Sequence, residues 1–479
     1  MSQQSPHDCA PEAASDANCG EDRGGEQSAP QWVLVMSVLA SSLPFIDGSI
    51  VNVALPAIRA DLGASAAEIQ WVYNAFTLPL AALLMLGGAL GDKFGRRRVL
   101  MVGIAIFGAA SLLCAAVPTL EALIVGRAGQ GIGGALLLPN SLALLNGAYS
   151  GEARGRAVGT WAAAGAISGA VAPMAGGWLV ENFAWPSVFW LLVPISLIAF
   201  ALAGWKVDEV KRPDDAATDY SGAAAATLGL AGLTLGLTLW SAGGSVTIAV
   251  IASLVVGAAL LAVFLMIERR KGDQAMLPLA LFGGACVVSL NVLTFLLYGA
   301  LGALLLILPY VLIESGGYSP TMAGLAIMPF PVIIGLGSRY MGGIAERVGV
   351  RLPLTIGPAL VAVGLLLALR IGPDSSYWTS VLPSIIVIGL GMVLAVAPLT
   401  SAVMAAVEDS YAGTASGLNN AVSRTGGLIA VALMGGVLSL GVNELFGGFH
   451  GAVYAMAAAA FAAALTGWFG LRQLDAGRA

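Results

Sequence analysis

Residues 88–97 read GALGDKFGRR, and residues 342–351 read GGIAERVGVR. Glycine, an acid, a base, glycine and arginine recur in the two stretches at a constant offset of 254 residues, with Asp92 and Glu346 as the acids. Each stretch follows an apolar run that is long enough to cross a bilayer, which takes about 20 residues. The repeat predicts two related halves, in which the two stretches are equivalent loops between helices.

The composition indicates that lipid surrounds most of this chain. Of its 479 residues, 58% are hydrophobic and only 10% are charged, and the mean hydropathy is +0.87. A soluble protein carries about 25% charged residues, so this chain lacks the charge for a water-facing surface. Its four cysteines and two histidines have no metal-ligand or disulfide spacing. We therefore expect no metal site, and without a P-loop we expect no direct use of ATP.

Fourteen apolar runs are candidates for membrane spans. They lie at 31–53, 69–90, 99–117, 119–146, 155–180, 186–206, 221–241, 246–267, 283–313, 319–340, 353–371, 378–404, 411–440 and 448–471. The repeated stretch follows spans 2 and 10, so spans 1–6 correspond to spans 9–14, and spans 7 and 8 form an inserted hairpin. We predict an all-α membrane protein with five parts: a disordered cytoplasmic tail at 1–30, a six-helix bundle at 31–206, a linker and hairpin at 207–280, a second six-helix bundle at 281–472, and a cytoplasmic tail at 473–479.

The distribution of Lys and Arg predicts the orientation. With both termini in the cytoplasm, the cytoplasmic segments hold 18 of the 22 Lys and Arg residues. The outer loops hold only Arg59 and Arg370, and the last two cations fall inside spans. Because an excess of positive charge marks the cytoplasmic side, we expect a multi-pass protein of the cell (inner) membrane with both termini in the cytoplasm.

The repeated stretch has the residues of a gate. Its glycines permit a tight turn, and Asp92 lies at a helix end among four cations. Such a cluster can form an ion pair between helices that changes with conformation, and the alternative is a plain positive-inside anchor. The gating residues that we predict in the two stretches are Gly88, Asp92, Gly95, Arg96, Arg97, Glu346 and Arg347.

Two charged residues are expected deep in the first half. Arg127 in span 4 shares a helix face with Gln130, Gly131 and Gly134, and Asp47 lies well inside the apolar run of span 1. A charge in the bilayer interior needs a cavity or a partner. Burial disfavours the charged carboxylate and a nearby arginine favours it. Asp47 is therefore the first candidate for a proton site; the alternatives are a capping aspartate and a structural ion pair.

Spans 5 and 13 carry two further patterns. Small residues and a kinking proline recur in span 5 with the spacing of close helix packing, at Gly165, Gly169, Pro173, Gly176 and Gly177. Span 13 has a polar stripe that includes Asn420, Ser423 and Arg424. Arg424 either faces a cavity or pairs with Glu408 near the inner surface, and the sequence leaves both possibilities open.

With these motifs, residues 31–472 resemble the major facilitator superfamily, and the fourteen spans narrow the resemblance to drug:proton antiporters of the EmrB/QacA type. Residues 47–56, DGSIVNVALP, resemble the family signature Asp-x-Thr-x-x-Asn-x-Ala-Leu-Pro, with Ser49 in place of Thr. Span 5 resembles the antiporter motif, with Ala172 in place of the usual glycine before Pro173. The resemblance implies two bundles that rock about a midplane site, a gate at the repeated loop, and proton coupling through Arg127.

The function that we expect is proton-coupled efflux of small amphipathic molecules such as drugs, antibiotics or secondary metabolites. The proton motive force would drive it without a cofactor, and the partners would be the substrate, protons and the lipid bilayer, with no nucleic acid. An accessory export partner stays an open question. The alternatives are a symporter that imports a solute and a membrane sensor that transports nothing. A polytopic enzyme would need clustered His, Asp or Glu at a membrane face, and the sequence shows no such cluster.

Candidate pocket residues follow from the helices that line a central cavity. They are Asn52, Phe76, Gln130, Trp161, Asn291, Tyr298, Phe330, Asn420 and Arg424. Trp71, Tyr73 and Tyr310 fit the aromatic belt at the membrane interface better. Because deep carboxylates are few, we expect neutral, zwitterionic or monocationic substrates.

Overall fold

A computed structural model describes residues 30–116, 119–209, 219–272, 284–373, 375–407 and 412–472, apart from a few side chains within these ranges. The predicted tails at 1–30 and 473–479 fall almost wholly outside the described residues. Every regular element in the described ranges is helical. Thirteen of the helices are long and apolar enough to cross a membrane, and α2 (Ala66–Phe94), which bends by 54°, makes a fourteenth. The predicted all-α, fourteen-span architecture is confirmed.

The helices fall into three groups along the chain. The first group is α1 (Pro30–Leu62), α2, α3 (Arg96–Ala116), α4 (Leu120–Ala148), α5 (Gly151–Asn182), α6 (Ser187–Trp190) and α7 (Leu192–Lys206). The inserted hairpin is α8 (Tyr220–Gly243) and α9 (Ile248–Lys271). The last group is α10 (Ala285–Glu314), α11 (Pro320–Ile327), α12 (Pro329–Val348), α13 (Arg351–Leu367), α14 (Leu382–Ala405), α15 (Ala412–Ala432), α16 (Gly435–Leu438) and α17 (Val442–Gly470).

The signals that start and stop the second span recur in the tenth. Ser65 caps the start of α2 by accepting a hydrogen bond from the backbone N–H of Glu68, and Ser319, 254 residues later, caps α11 in the same way. Gly95 ends α2 with a φ of +102°, and Gly349 ends α12 with a φ of +81°. Because L side chains rarely adopt such values, the repeated glycines are required by the backbone.

The hairpin packs on the outside of the two halves. Its first helix, α8, contacts both α2 and α15, whereas α9 contacts α8. The described residues of α9 that are buried number only three, Val250, Gly257 and Glu268. Since the rest of this apolar helix is exposed or half-buried, most of its surface is available to the lipid.

Contacts between the two halves gather at one end of the described bundle. The side-chain amide of Gln70 donates to the Val431 carbonyl at 2.7 Å, and the Arg59 guanidinium donates to the Leu438 carbonyl at 3.0 Å and to the Tyr310 hydroxyl. These groups lie near the ends of α1 and α15 and the start of α2. From the distribution of Lys and Arg, we expect this end of the bundle to face the outside.

Glycines on α5 and α11 allow the two halves to come into close contact at the same end of the bundle. A side chain at Gly177 would overlap the backbone of Pro320, and one at Gly324 would overlap the backbone of Pro173. Towards the opposite end, a methyl group at Gly159 of α5 or Gly417 of α15 would meet no described atom within 4 Å. Among the described residues, the close glycine contacts between α5 and α11 therefore lie towards this one end of the bundle.

Candidate functional site

Asp47 of α1 and Arg127 of α4 form an ion pair inside the first half. One guanidinium nitrogen of Arg127 lies 2.6 Å from both carboxylate oxygens of Asp47, and neither side chain is exposed. The Arg127 Nε group donates to the Val72 carbonyl of α2 at 2.9 Å. The contact that the sequence raised as a hypothesis is present, and it joins three helices through one charged pair.

A polar chain and two aromatic rings surround the pair. Arg127 donates to the Gln130 side-chain carbonyl at 2.7 Å, and the Gln130 amide donates to the Ser111 hydroxyl of α3 at 2.8 Å. The guanidinium carbon lies 4.6 Å from the Phe76 ring centre and 5.8 Å from that of Phe189. The predicted pocket residues Phe76 and Gln130 thus support the ion pair and do not line the central cavity. Helix periodicity placed Gln130 on the face of Arg127 but could not say which neighbouring helix that face meets.

A cavity of about 250 Å³ lies between the two halves. It is lined from the first half by α1, α2 and α5, and from the second half by α10, α11 and α12. Among the predicted pocket residues, Asn52 and Phe330 line it, and so do Gly165, Gly169 and Pro173 of the span 5 motif. The side chains around it that carry polar groups are Ser49, Asn52 and Tyr73, and no charged residue is among those described as its lining.

The residues of α1 that follow Asp47 reach the cavity directly. Gly48, Ser49 and Asn52 all line it, although Asp47 points to the other side of the helix towards α4. The side-chain oxygen of Asn52 is buried and accepts no hydrogen bond from a described residue. One turn of α1 therefore carries the ion pair on one face and a free hydrogen-bond acceptor for a ligand on the other.

Two aromatic residues lie elsewhere than expected. Tyr73 lines the central cavity because it lies two turns into α2 and faces the second half. Tyr310 is 1% exposed and accepts the hydrogen bond from Arg59. The expectation that these two tyrosines belong to an interfacial belt was wrong, since both are directed at the opposite half. Trp71 is half-buried.

The span 5 motif serves two faces of α5. Gly165 packs against the Phe45 ring and Gly176 against Ile50, which brings α5 close to α1. Gly177 faces Pro320 of the other half. Gly169 and Pro173 line the cavity. The stripe therefore combines the close packing predicted from its spacing with a wall of the cavity and a contact across the halves.

The gating stretch of the first half is held by its own half. Arg96 donates to Asp92 at 2.9 Å, which joins the end of α2 to the start of α3. Arg97 donates to the Ala203 carbonyl of α7 at 2.7 Å. The Glu209 carboxylate accepts hydrogen bonds from the backbone N–H groups of Arg97 and Arg98 at 3.0 and 3.1 Å. Sequence reasoning missed Glu209, because nothing near the motif points to an acid 112 residues later.

The glycines of this stretch pack closely against α4. Gly91 lies against the side chain of Asn140, and Gly88 lies next to Pro139 of the same helix, α4. In the second half, the backbone of Glu346 and Arg347 lies in the last turn of α12. The side chains of these two residues lie outside the described part of the chain, so their predicted role in the gate stays a prediction.

The predicted pocket residues of the second half separate into two groups. Tyr298 and Asn420 line a small cavity of about 70 Å³ between α10, α14 and α15, together with Thr400, Asn419 and Ser423. Asn291 is buried, and its side-chain oxygen faces the amide of Asn419 at 3.5 Å, which ties α10 to α15. On α5, Trp161 is half-buried and is not part of the central cavity's described lining.

Arg424 lies on α15 and is half-buried. Among the residues that the structure describes, no carboxylate forms an ion pair with it, and it is not part of the described lining of the central cavity or of the small polar cavity. Glu408, the partner considered from the sequence, lies outside the described residues.

Comparisons with known proteins agree over nearly the whole chain. The model of the family described as "Major Facilitator Superfamily" matches residues 38–292 and 290–478. The chain is 35% identical over 432 residues to the puromycin resistance protein pur8 of Streptomyces alboniger, covering 88% of this chain and 84% of that protein. It is 35% identical over 421 residues to the cephamycin export protein CmcT of Amycolatopsis lactamdurans, covering 86% of each.

A relative with greater coverage and two solved structures extend the comparison. The methylenomycin A resistance protein of Bacillus subtilis is 31% identical over 450 residues, which are 92% of this chain and 96% of that protein. The inward-open xylose transporter XylE from E. coli superposes with a TM-score of 0.64 at 14% identity, over 92% of this chain and 96% of that one. PepTSo, a POT family transporter, superposes with a TM-score of 0.68 at 14% identity, over 93% and 99%. At these identities the two structures show a shared fold.

Proposed function

Because this chain belongs to the Major Facilitator Superfamily, we propose that it is a proton-coupled antiporter that exports small amphipathic molecules. It is a multi-pass membrane transporter, and its curated relatives include proteins named for resistance to puromycin and methylenomycin A and for export of cephamycin and tetracenomycin C. Those names support efflux of antibiotic-sized compounds. The mainly apolar cavity with a few hydrogen-bonding groups supports an amphipathic substrate.

The observation that carries proton coupling is the position of Asp47 on α1. Its carboxylate is the only described anion that contacts the buried Arg127, and the residues directly after it line the cavity. Protonation of Asp47 would remove one charge of the pair and weaken the bond between α1 and α4. Since the same turn of α1 lines the cavity, proton binding and substrate binding would act on one segment and could therefore be coupled through it.

The arrangement of the halves supports alternating access. They touch at the end that the positive-inside distribution assigns to the outside, where Gln70 binds the Val431 carbonyl and α5 crosses α11. The described contacts thus correspond to a state closed to the outside. Transport would require these contacts to separate while the two bundles close at the other end.

The test is proton movement in proteoliposomes that contain the purified full-length chain. A panel of lipophilic cations and neutral antibiotics is added in turn under an imposed pH gradient, and internal pH is followed with a trapped dye. We expect at least one compound to trigger proton flux in the native protein, and Asp47→Asn to abolish that flux while substrate still binds.

Asp61→Asn is the matched control, because it makes the same substitution near the outer end of the same helix. Asp61 accepts a hydrogen bond from the Trp185 indole at 2.8 Å, which an asparagine oxygen can also accept. We expect this variant to retain the flux. Full proton exchange in Asp47→Asn would remove Asp47 from the mechanism, and substrate flux without proton movement in the native protein would refute antiport.

A further inference from the structure

Asn52 of α1 has a hydrogen-bond acceptor at the central cavity that no described residue uses. Its side chain lines that cavity and is 7% exposed. The side-chain nitrogen is directed back to the Gly48 carbonyl at 3.5 Å, whereas the side-chain oxygen accepts no hydrogen bond from a described residue. The opposite orientation of the amide would set two carbonyl oxygens against each other. Because a buried polar atom without a partner costs free energy, a ligand that donates to this oxygen gains affinity.

The other polar groups of the lining do not distinguish a donor from an acceptor. Ser49 and Tyr73 carry hydroxyls, and a hydroxyl can donate as well as accept. An amide oxygen can only accept. Asn52 therefore favours a ligand with an N–H or O–H group, a preference that the rest of the cavity leaves open.

The described lining of the cavity does not favour a charged ligand. No charged residue is among those described as its lining. Asp47 faces α4, and its charge is matched there by Arg127. An ion that leaves water without a counter-ion pays a large desolvation cost, so a hydroxyl or an amide N–H suits this site better than an ammonium group. Much of the remaining wall is apolar and includes Pro173 and Leu305.

We propose that Asn52 is a specificity-determining residue that accepts a hydrogen bond from the transported molecule. The preferred substrates are then neutral amphipaths that carry a hydroxyl or an amide N–H on an apolar body. This proposal rests on the function proposed above, and it narrows the neutral, zwitterionic or monocationic substrates expected from the sequence to neutral ones. Proton coupling stays with Asp47 on the other face of the same helix.

The test uses three probes that share one apolar body: naphthylbutanol, its methyl ether, and the naphthylbutylammonium ion. Binding to the purified full-length chain in detergent is measured by equilibrium dialysis and naphthyl fluorescence, with protein-free micelles as the blank. We expect the native protein to bind the alcohol about ten-fold more tightly than the ether, because the ether leaves the Asn52 oxygen without a donor. The ammonium ion should also bind more weakly than the alcohol.

Two variants of Asn52 separate the acceptor from the shape of the side chain. Asn52→Leu removes the acceptor at similar volume, so it should bind the alcohol and the ether equally, and unchanged binding of the ether shows that its cavity is intact. Asn52→Asp keeps an acceptor oxygen and adds a negative charge, so it should prefer the ammonium ion. The aspartate variant decides the matter if the leucine variant does not fold: an unchanged order of the three probes would overturn the proposal.

Asn74→Leu is the matched control on α2. Asn74 is also fully buried, and neither polar atom of its side chain has a described hydrogen-bond partner, but it is not part of the described lining of the cavity. We expect this variant to keep the preference for the alcohol.

Three further results would overturn the proposal: equal binding of alcohol and ether by the native protein, an intact preference in Asn52→Leu, and loss of the preference in Asn74→Leu as well. Proton flux that depends on Asp47 would survive each of these results, so the two proposals fail separately.

Discussion

The two halves of the molecule share their helices but not their charges. Helix α3 begins at Arg96 and α13 at Arg351, and α2 covers the same stretch of the repeat as α11 and α12 together. The positions 254 residues after Asp47, Arg127 and Gln130, however, hold Leu301, Val381 and Ser384. The helices are repeated, whereas the one fully buried ion pair in the part of the chain that the structure describes belongs to the first half.

The second half has a charged residue at a position where the first half has an apolar one. Arg424 stands at the position where the first half has Ala170. A neutralised pair can be buried completely, as Asp47 and Arg127 are, but a lone cation has to stay near water or a ligand. The difference shows that the two halves share a pattern of helices but place their charged residues at different positions of it.

The largest loss of stability should come from removing one partner of the Asp47–Arg127 ion pair. Arg127→Leu leaves the Asp47 carboxylate buried without its cation, which we expect to cost about 3–5 kcal/mol of unfolding free energy. The measurement is denaturant unfolding in mixed micelles followed by tryptophan fluorescence. Adding Asp47→Leu to this variant should recover most of the loss, because no unpaired charge then remains.

Leu301→Met tests the equivalent site of the second half. Leu301 is 4% exposed in an apolar core, so a substitution of similar volume should cost less than about 1.5 kcal/mol. If Arg127→Leu were as mild as Leu301→Met, the charged pair would contribute nothing to the fold. The two halves would then differ in their charged residues without differing in what stabilises them.

The next effect should come from the contact between the halves. Gly324→Ala places a methyl group into the backbone of Pro173, and such overpacking costs about 1–3 kcal/mol in the state where the halves touch. The equilibrium should shift roughly 5- to 150-fold towards a state open to the outside. In a Ser49→Cys background, a membrane-impermeant maleimide added outside should then label the cavity faster.

Gly159→Ala is the control on α5, because its methyl group would meet no described atom within 4 Å. It should leave the labelling rate unchanged. Equal labelling in the Gly324 and Gly159 variants would show that the contact between α5 and α11 does not set the outer closure.

Much of the fold was predictable because lipid imposes simple rules on length and charge. The fourteen apolar runs, the offset of 254 residues and the end signals at Ser65, Gly95 and Gly349 are all local in sequence. Asp47 and Arg127 were recognisable for the same reason, since a charge inside an apolar run needs a partner. The sequence could not show that these two residues are partners of each other; only the structure shows it.

Contacts between distant helices were not predictable. A polar residue such as Gln70 gives no local sign that it binds the Val431 carbonyl, where α15 ends and leaves a carbonyl free. Tyr73 was assigned to the membrane interface because tyrosines near span ends usually lie there. The opposite half covers it instead, and a hydropathy pattern contains no information about that neighbour.

The smallest loss of stability should come from substitutions at the repeated loops, residues 88–97 and 342–351, where the two halves again differ. Arg97 donates to the end of α7 and Arg351, its equivalent, donates to the Trp468 carbonyl of α17 at 3.0 Å. Only the first loop has Glu209, which accepts two backbone N–H groups at the start of α3; the position 254 residues later is Ala463. Glu209→Ala should therefore destabilise the first half by about 1 kcal/mol through loss of this helix cap.

The same unfolding assay in mixed micelles measures this loss, and Glu121→Ala provides the comparison. Glu121 is an exposed acid in the first turn of α4, so its removal should cost only a few tenths of a kcal/mol through the helix dipole. If the Glu209 variant were as stable as the Glu121 variant, the backbone of the loop would keep its conformation without the Glu209 carboxylate. The ion pair of Asp92 and Arg96 would then be enough to fix the first loop, and the two loops would be equivalent in stability despite their different charges.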